Sequence, residues 1–180
     1  MAVTPFAVDP YLCVPFRPFE GATGKADAIL AQCEAAPERF LVSCVAGVDP
    51  RVVVAARLTD PRNAAFEVWQ NDTFCGNLLV DRIDPGVDAR CHLVFFDDEL
   101  SSKAPLVREF LVRVFAEWGL ARLTLEVPAH MTTLTGFARR KLGFAYEGGT
   151  AKLSLRERAY FDGETWRDVV TLRVFAGEER

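Results

Sequence analysis

The sequence contains no long hydrophobic run, no closely spaced cysteine pair and no excess of basic residues. A membrane-spanning helix needs about 20 consecutive apolar residues, and no stretch here approaches that length, so we expect no membrane partner. The formal net charge is −4. Domains that bind nucleic acid usually carry clustered Lys and Arg to neutralise phosphate, and this balance argues against nucleic acid as the main partner.

The number and spacing of the cysteines argue against two classes of protein. The five cysteines are odd in number and scattered, with no CxxC pair, which argues against a disulfide framework and a zinc ribbon. Two histidines offer little basis for a metal site. The N-terminus lacks early basic residues and is interrupted by three prolines, unlike the apolar core of a signal peptide. We therefore predict no metal and a cytoplasmic location.

What the sequence does contain is enough apolar material for one core. Half of its 180 residues are hydrophobic, which predicts a single domain over residues 1–180. The stretch "GKADAILAQCEAA" has apolar residues at helical spacing and ends at Pro37, which predicts a short helix. Residues 40–63 hold two β-branched runs around Asp49-Pro50, which predict a helix end or strand followed by a strand.

Residues 64–97 alternate apolar runs with the polar breaks "QNDT" and "DPGVD", which is typical of a three-stranded antiparallel meander. Its third strand, 90–97, is apolar on both faces, which predicts a central strand covered by helices on both sides. The next stretch predicts a helix with a continuous apolar stripe, Pro105 in its first turn and Gly119 at its end. Ser101 or Ser102 is the expected cap of that helix.

The remainder predicts a strand at 122–127, a helix in "MTTLTGFARRKLG", and C-terminal strands folded at "EGG" and at Asp162-Gly163. The order of "EWGLARLTLEVP", "FARRKLGFAYEGG" and "DGETWRDVVTLRVF" resembles the GNAT superfamily of acyl-CoA N-acyltransferases, especially its ribosomal-protein alanine acetyltransferase-like branch. The resemblance covers residues 60–176 and leaves 1–60 as a divergent N-terminal part. Divergent phage members share a similar pattern, which suggests a phage or prophage origin.

The resemblance implies a mixed, mostly antiparallel α/β (α+β) sheet of about seven strands, with helices on both faces and two splayed central strands. Acetyl-CoA would lie between 90–97 and 122–127, with its pantetheine held by the backbone of Val94, Phe95 and Phe96. Its pyrophosphate would meet the start of the following helix, where helix amides favour an anion.

That helix start, "DELSSKAPLV", lacks the glycines that such a loop usually has. Side chains at Lys103 and Ala104 narrow the backbone approach and Pro105 has no N–H donor, so we expect weakened pyrophosphate binding. Lys103 could supply a point charge instead, with backbone amides from Leu106 and Val107. The alternative is an ordinary Ser-capped helix that begins with proline.

Candidate catalytic residues follow from the resemblance and from side-chain chemistry. His92 occupies the position where many members carry a Glu base, and an imidazole titrates near neutrality; the alternative is a hydrogen-bonded histidine that fills the sheet. Glu126 and Glu67 are further candidates, with a solvated surface charge as the alternative for Glu126. A cysteine nucleophile, Cys75 or Cys91 with a histidine, is less favoured than buried structural thiols.

The positions that usually carry a Tyr acid and a helix-opening Asn here hold Arg139 and Thr132. A guanidinium stays charged, so Arg139 cannot be the acid. The "ARRK" run to which it belongs could grip the phosphate end of the nucleotide, or it could be a solvated helix face. Tyr146 and Tyr160 could replace the missing acid only if folding brings them to the thiol.

Two functional hypotheses result. The first is an N-acetyltransferase that moves an acetyl group from acetyl-CoA to a primary amine, a protein N-terminus or a small amine, by direct attack in a ternary complex. The second is a GNAT-fold protein without catalysis, a binding or structural module that could be phage-associated. A cleft plugged by Phe95 or Phe96 would favour the second hypothesis. A homodimer is a further expectation, since the C-terminal hairpin offers an edge strand.

Overall fold

The computed structural model describes residues 4–16, 24–40, 49–97, 99–161 and 164–178, and its strands form one sheet. The helices are α1 (Gly24–Ala35), α2 (Pro50–Thr59), α3 (Ala104–Trp118) and α4 (Thr132–Lys141), with 3₁₀ helices at Pro37–Phe40 and Leu100–Lys103. The strands are β1 (Phe6–Val8), β2 (Tyr11–Pro15), β3 (Ala64–Gln70), β4 (Thr73–Asp84), β5 (Asp88–Phe95), β6 (Arg122–Pro128), β7 (Ala145–Tyr146), β8 (Leu155–Phe161) and β9 (Trp166–Phe175). Within these ranges, no helix is long and apolar enough to cross a membrane.

The strand order is β1-β2-β3-β4-β5-β6-β9-β7, with β8 also paired to β9. Among the described strands only β5 and β6 are parallel neighbours, and the other pairs are antiparallel. This arrangement confirms the predicted mixed, mostly antiparallel fold class and the predicted meander β3-β4-β5. The described sheet has nine strands rather than about seven, because an N-terminal hairpin extends one edge and both β7 and β8 pair with β9.

The central strands are covered on both faces, as the apolar pattern of β5 predicts. Alternate residues of β5, such as Leu93 and Phe95, pack into the large core that contains α3 and α4. Val94 instead joins a smaller core with residues of α1 and α2. The helices are thus divided between the two faces of the sheet, and each face of β5 presents its side chains to a different layer.

Helix α3 follows the predicted pattern. Its apolar stripe is buried, and Gly119 ends the helix with a φ of 61°, a left-handed conformation that favours glycine. The predicted serine cap is wrong. The residue before the helix is Lys103, which makes no side-chain cap, and the Ser102 hydroxyl donates to the Glu99 carbonyl instead. The 3₁₀ helix runs directly into α3, and the Ala104 N–H donates to the Ser101 carbonyl. Backbone carbonyls thus accept the hydrogen bonds that a capping serine side chain would otherwise accept.

The predicted strand after Asp49-Pro50 is also wrong, because residues 50–59 form α2. The Asp49 side chain accepts from the Arg51 N–H and Pro50 occupies the first turn, which together start a helix. The β-branched run at 52–54 suggested a strand, yet only Val54 of α2 is fully buried. The predicted element at 41–48 and the predicted turn at 162–163 lie outside the described residues.

Candidate functional site

Strands β5 and β6 pair over only part of their length. Their parallel ladder runs from the Asp88–Arg122 pair to the Cys91–Leu125 pair, and beyond it the two strands separate. A cleft of about 390 Å³ opens there, bounded by the ends of both strands, the 3₁₀ residue Leu100 and the start of α4. The predicted splay of the two central strands is therefore confirmed.

The phenylalanines at the end of β5 do not fill this cleft. Phe95 is buried in the large core, and the ring of Phe96 packs edge-on against Phe74 with 5.1 Å between centroids. The cleft remains open and is lined by both apolar and polar side chains. This outcome favours the enzyme hypothesis over a plugged binding module.

The backbone of β5 presents its groups to the cleft at every second residue. The Phe96 N–H donates to the Cys75 carbonyl of β4, so Phe96 and Val94 turn their backbone groups away from the cleft. The backbone groups of Phe95 point the opposite way, and its carbonyl accepts a hydrogen bond of 3.0 Å from Arg39 Nη1. Of the three residues predicted to hold pantetheine, Phe95 alone offers its backbone to the cleft.

A row of charged side chains crosses the face of the sheet beside the cleft. Arg90 donates from Nε and Nη2 to the two oxygens of Asp81, at 2.8 and 2.7 Å, and from Nη1 to Glu126 at 2.9 Å. His92 lies 3.2 Å from Asp81, and Arg156 reaches Glu126 from β8. Both His92 and Glu126 line the cleft, so the network ends at its wall.

Burial determines the protonation state of His92, of which 5% is exposed. Desolvation lowers the pKa of His92, and the hydrogen bond to Asp81 does not offset it. Burial would also raise the pKa of Asp81, but hydrogen bonds from His92 and Arg90 hold that pKa well below its usual range. A neutral imidazole beside a carboxylate must donate its Nε2 proton, which leaves the basic lone pair on Nδ1.

Glu126 is already engaged by two cationic side chains. Its two oxygens already accept from the guanidinium groups of Arg90 and Arg156, and its side chain is 13% exposed. Removing either ion pair would cost the carboxylate a charge-assisted hydrogen bond. The structure brings Glu126 to the cleft beside His92 as a carboxylate with two cationic partners, rather than as a solvated surface charge.

Glu67 lies elsewhere. It is on β3, two strands from β5, and its carboxylate accepts a hydrogen bond of 2.9 Å from Trp69 Nε1. It borders a groove beside the β1–β2 hairpin, together with Asp9 and Asp72. The structure therefore does not bring Glu67 together with His92 and Glu126.

The Lys103 side chain points into the protein. Its side chain is 2% exposed, and Nζ donates to Asp97 Oδ1 at 2.6 Å and to the Glu99 carbonyl at 3.0 Å. The ammonium also lies 5.5 Å from the ring centroid of Phe95. In this structure the charge of Lys103 faces Asp97, so it is not presented at the surface as the predicted point charge for a phosphate.

The other residues predicted at the helix start have buried side chains. Ala104, Leu106 and Val107 all belong to the large core, so they can meet a ligand only through their backbone. The preceding 3₁₀ helix already engages the Ala104 N–H. The start of α3 therefore offers fewer open amides than the sequence suggested.

Helix α4 contributes one of its two predicted residues to the cleft. Thr132 opens the helix and lines the cleft with Thr133 and His130. Arg139 lies near the other end of α4, outside the cleft lining, with its guanidinium 4.2 Å from the ring centroid of Tyr146. Among the described residues that line the cleft, none is a tyrosine.

The structure does not support a cysteine nucleophile. The thiols of Cys75 and Cys91 are buried, and burial raises the pKa of Cys91 to about 12. A thiol with such a pKa is not a thiolate near neutral pH and is a poor nucleophile.

Sequence reasoning missed three residues of the site: Asp81, Arg90 and Arg39. A weak signal existed for Asp81 and Arg90, because each is a charged residue directly beside buried apolar residues of its strand, and a buried charge needs a partner. Arg39 gave no signal, because its position over the cleft depends on packing of a 3₁₀ helix far from β5 in sequence.

Comparison with solved structures identifies the fold. No protein-family model matches the sequence, and a search of curated proteins gives no match. The chain is similar to RimJ from Mycobacterium smegmatis in complex with CoA-disulfide, with 18% identity over 97% of this chain and 87% of that one, at a TM-score of 0.69. It is also similar to spermidine N-acetyltransferase from Vibrio cholerae in complex with CoA and spermine, with 12% identity, coverage of 95% and 98%, and a TM-score of 0.71.

A third similar structure is that of a probable acetyltransferase of the GNAT family from Chromobacterium violaceum. It shares 17% identity over 99% of this chain and 89% of that one, with a TM-score of 0.65. At these identities the likeness is one of fold, and it extends over almost the whole chain. The described elements, with their splayed β5 and β6, thus form the fold of GNAT acetyltransferases.

Proposed function

We propose that this protein is an N-acetyltransferase that moves an acetyl group from acetyl-CoA to a primary amine. The observation that carries the proposal is the open cleft between β5 and β6, whose wall contains a neutral His92 oriented by Asp81. Of the similar solved structures, RimJ holds CoA-disulfide and spermidine N-acetyltransferase holds CoA and spermine, an amine. A protein N-terminus or a small amine is the acceptor class we infer, and the cytoplasm is the compartment we expect.

In the proposed reaction His92 acts as the general base. Nδ1 takes a proton from the ammonium form of the acceptor, directly or through one water, and the freed amine attacks the thioester carbonyl. Collapse of the tetrahedral intermediate breaks the C–S bond, and the second proton of the attacking nitrogen passes to the departing CoA thiolate, so that the products are the amide and the CoA thiol. The role of Asp81 is to hold the imidazole in the tautomer whose lone pair is on Nδ1.

The cosubstrate would lie along the open edge of β5. Its pantetheine amides can bond the backbone of Phe95, while Val94 fixes that edge by pairing with β4 and Phe96 does so through its hydrogen bond to the Cys75 carbonyl. Backbone of residues 103–107 at the start of α3, with Thr132 across the cleft, would border the nucleotide end. Holding both reactants in one cleft lowers the entropic cost of direct attack in a ternary complex.

Binding and transfer can be tested separately. Isothermal titration calorimetry with acetyl-CoA and CoA tests the cleft, and release of free thiol with a panel of primary amines tests the reaction. We expect micromolar binding and amine-dependent thiol release. Absence of CoA binding at millimolar ligand would refute the proposal.

One observation favours the second hypothesis, a GNAT-fold binding or structural module, for example in a phage particle. The segment that precedes the 3₁₀ helix and α3 carries the acidic residues Asp97 and Glu99, and Lys103, directly before α3, is buried against Asp97. Acidic side chains in this approach to the helix make it a poor place for pyrophosphate. If the purified protein binds no CoA while remaining folded, this second function becomes the favoured one.

A further inference from the structure

A second, much smaller cavity lies between α2 and the sheet, with a volume of about 20 Å³. A buried water needs at least about 10–15 Å³, so this cavity has room for one water and not for a larger ligand. His92 and Val94 line both the small cavity and the cleft, so their side chains stand between the two spaces. Besides His92, the polar residues among the described lining of the small cavity are Asn77 and Arg57.

Asn77 brings a buried amide to this cavity. It pairs with Val94 across β4 and β5, and cross-strand partners point to the same face of a sheet. Its side chain therefore faces the layer of α1 and α2, as that of Val94 does. Only 2% of Asn77 is exposed, and within the part of the chain that the structure describes no group bonds to its Oδ1. A buried amide oxygen is costly without a partner, and an ordered water is a common partner where space allows.

Arg57 brings hydrogen-bond donors to the same cavity. Its Nη1 donates to the Phe40 carbonyl at 3.0 Å, and a guanidinium carries further N–H groups beyond that one. Burial lowers the pKa of Arg57, because the cation loses hydration. A water in the cavity can accept from the guanidinium and donate to Asn77, and a buried water requires about two to four such polar partners.

His92 gives this water a role in the reaction. The imidazole becomes a cation when it takes up the proton of the acceptor, and the hydrogen bond with Asp81 involves Nε2. The new N–H at Nδ1 then needs an acceptor in a buried place. The charge of Arg57 opposes this protonation, since it contributes to the lowered pKa of His92. A water that accepts from both groups would reduce that opposition.

We propose that the small cavity binds one water, which donates to Asn77 and accepts from Arg57 and, once the base is protonated, from His92. The catalytic part of this inference rests on the proposed function. It makes Asn77 a positioning residue that acts through the water and stabilises the imidazolium at Nδ1, as Asp81 does at Nε2.

The test must leave the charges around His92 unchanged. Those that act on its pKa belong to Asp81 of β4, Arg90 of β5 and Arg57 of α2, and the carboxylate of Glu126 on β6 lines the cleft beside it. Substitution of the uncharged Asn77 alters none of them.

Asn77→Thr and Asn77→Val form the informative pair of variants. The two side chains have nearly the same shape, and both suit a strand, but only threonine has a hydroxyl that can bond to the water. The same two changes at Asn63 are the matched control, because its side chain bonds to the Arg57 backbone carbonyl and does not line the cavity.

A high-resolution crystal structure of wild type tests the water site itself. Thermal melting of each variant reports its stability, and NMR titration reports the pKa of His92. Steady-state kinetics of acetyl transfer separate the turnover number from the KM for acetyl-CoA.

We expect one ordered water in wild type, bonded to the Asn77 side chain. Asn77→Val should melt several degrees below Asn77→Thr, because the water loses a partner that threonine can replace. In Asn77→Val the pKa of His92 should fall further and turnover should drop about tenfold, since the imidazolium is less well solvated, with the KM for acetyl-CoA unchanged. Asn77→Thr should retain most of the turnover, and the Asn63 variants should keep the wild-type pKa and turnover.

A dry cavity predicts the opposite order of stability. A buried hydroxyl without a partner is costly, so Asn77→Val would then be at least as stable as Asn77→Thr. That result, or a wild-type structure without water in the cavity, would overturn the inference, and the structure decides even if neither variant folds. Equal turnover and equal His92 pKa in the two variants would overturn the positioning role.

Failure of the inference can be distinguished from failure of the proposed function. A wild type that holds the water but transfers no acetyl group would refute the proposed function and leave the water site in place. A wild type that transfers the acetyl group with a dry cavity would refute only the inference.

Discussion

His92 and Asp81 are joined across the β4–β5 pair by a hydrogen bond of 3.2 Å between Nε2 and Oδ2. Both side chains are buried, and the carboxylate is itself fixed by two bonds from Arg90. The orientation of the imidazole therefore depends on a carboxylate that cannot turn away. This relationship makes Asp81 a positioning residue for the base in the proposed reaction.

Replacing Asp81 with Asn keeps the imidazole of His92 but changes how that imidazole is oriented and protonated. The Asn amide can donate to Nε2, which would move the imidazole proton to Nδ1 and remove the basic lone pair from that atom. We expect the turnover number for acetyl transfer to fall about ten- to hundredfold, with little change in the KM for acetyl-CoA. Asp84→Asn, an exposed carboxylate at the end of β4, is the control and should leave both constants unchanged. Full turnover in Asp81→Asn would contradict the positioning role.

The lowered pKa of His92 predicts how stability depends on pH. In the unfolded chain the imidazole takes up a proton near pH 6.5, whereas burial keeps it neutral in the folded protein to lower pH. The unfolded state therefore binds more protons below pH 6.5, and the free energy of unfolding should fall as the pH drops from about 6.5 towards the pKa of the folded state. Urea unfolding of wild type and His92→Gln at pH 7.5, 6.5 and 5.5 measures this, and the loss should be smaller in the variant. An equal loss in both proteins would show that another group is responsible.

The buried position of Lys103 predicts that its main role is structural. Lys103→Met keeps the length of the side chain and removes its charge, and Asp97 can remain hydrated because its side chain is 49% exposed. We expect CoA affinity to change less than about twofold, while Lys103→Ala lowers the free energy of unfolding by about 2–3 kcal/mol through the cavity it leaves. Calorimetry and urea unfolding measure the two effects. A large loss of CoA affinity in a stable Lys103→Met would instead support direct contact with phosphate.

Gly76 is a position where β4 and β5 approach too closely for a side chain. A Cβ added there would lie 2.4 Å from the Val94 carbonyl oxygen, a backbone atom that can move only if β5 moves. We expect Gly76→Ala to lower the free energy of unfolding by about 1–3 kcal/mol and to weaken CoA binding, because the displaced strand is the edge of the cleft. Gly136→Ala is the control. The atoms nearest to its Cβ would belong to the flexible end of Arg140, and alanine favours a helix, so we expect no loss of stability.

The fold could be predicted from the sequence where periodicity is strong. The apolar stripe of α3 has helical spacing, and the three apolar runs of the meander β3-β4-β5 are separated by polar breaks. All four elements are present in the structure. Helix α2 was missed because Asp49-Pro50 can begin either a turn or a helix, and the β-branched residues that follow favoured a strand locally. Tertiary packing of Val54 against the sheet decides the outcome.

The site was less predictable because its key contacts are long-range. His92 was identified from the family resemblance, but its partner Asp81 lies on another strand, and the β4–β5 register determines which side chains meet. Whether Lys103 points inward or outward depends on Asp97, which is six residues away and adopts no regular structure. Local sequence patterns do not specify either relationship.

The decisive test of His92 as the base is the rate of amine acetylation from acetyl-CoA by wild type and His92→Gln, measured side by side as release of free CoA thiol. His130→Gln, the second histidine of the cleft lining, is the matched control. If His92 is the base, wild type transfers the acetyl group, and His92→Gln binds acetyl-CoA with similar affinity but turns over about a hundredfold more slowly or worse, with His130→Gln unaffected. A His92→Gln protein as fast as wild type, or a folded wild type that neither binds acetyl-CoA nor transfers its acetyl group, would contradict this proposal.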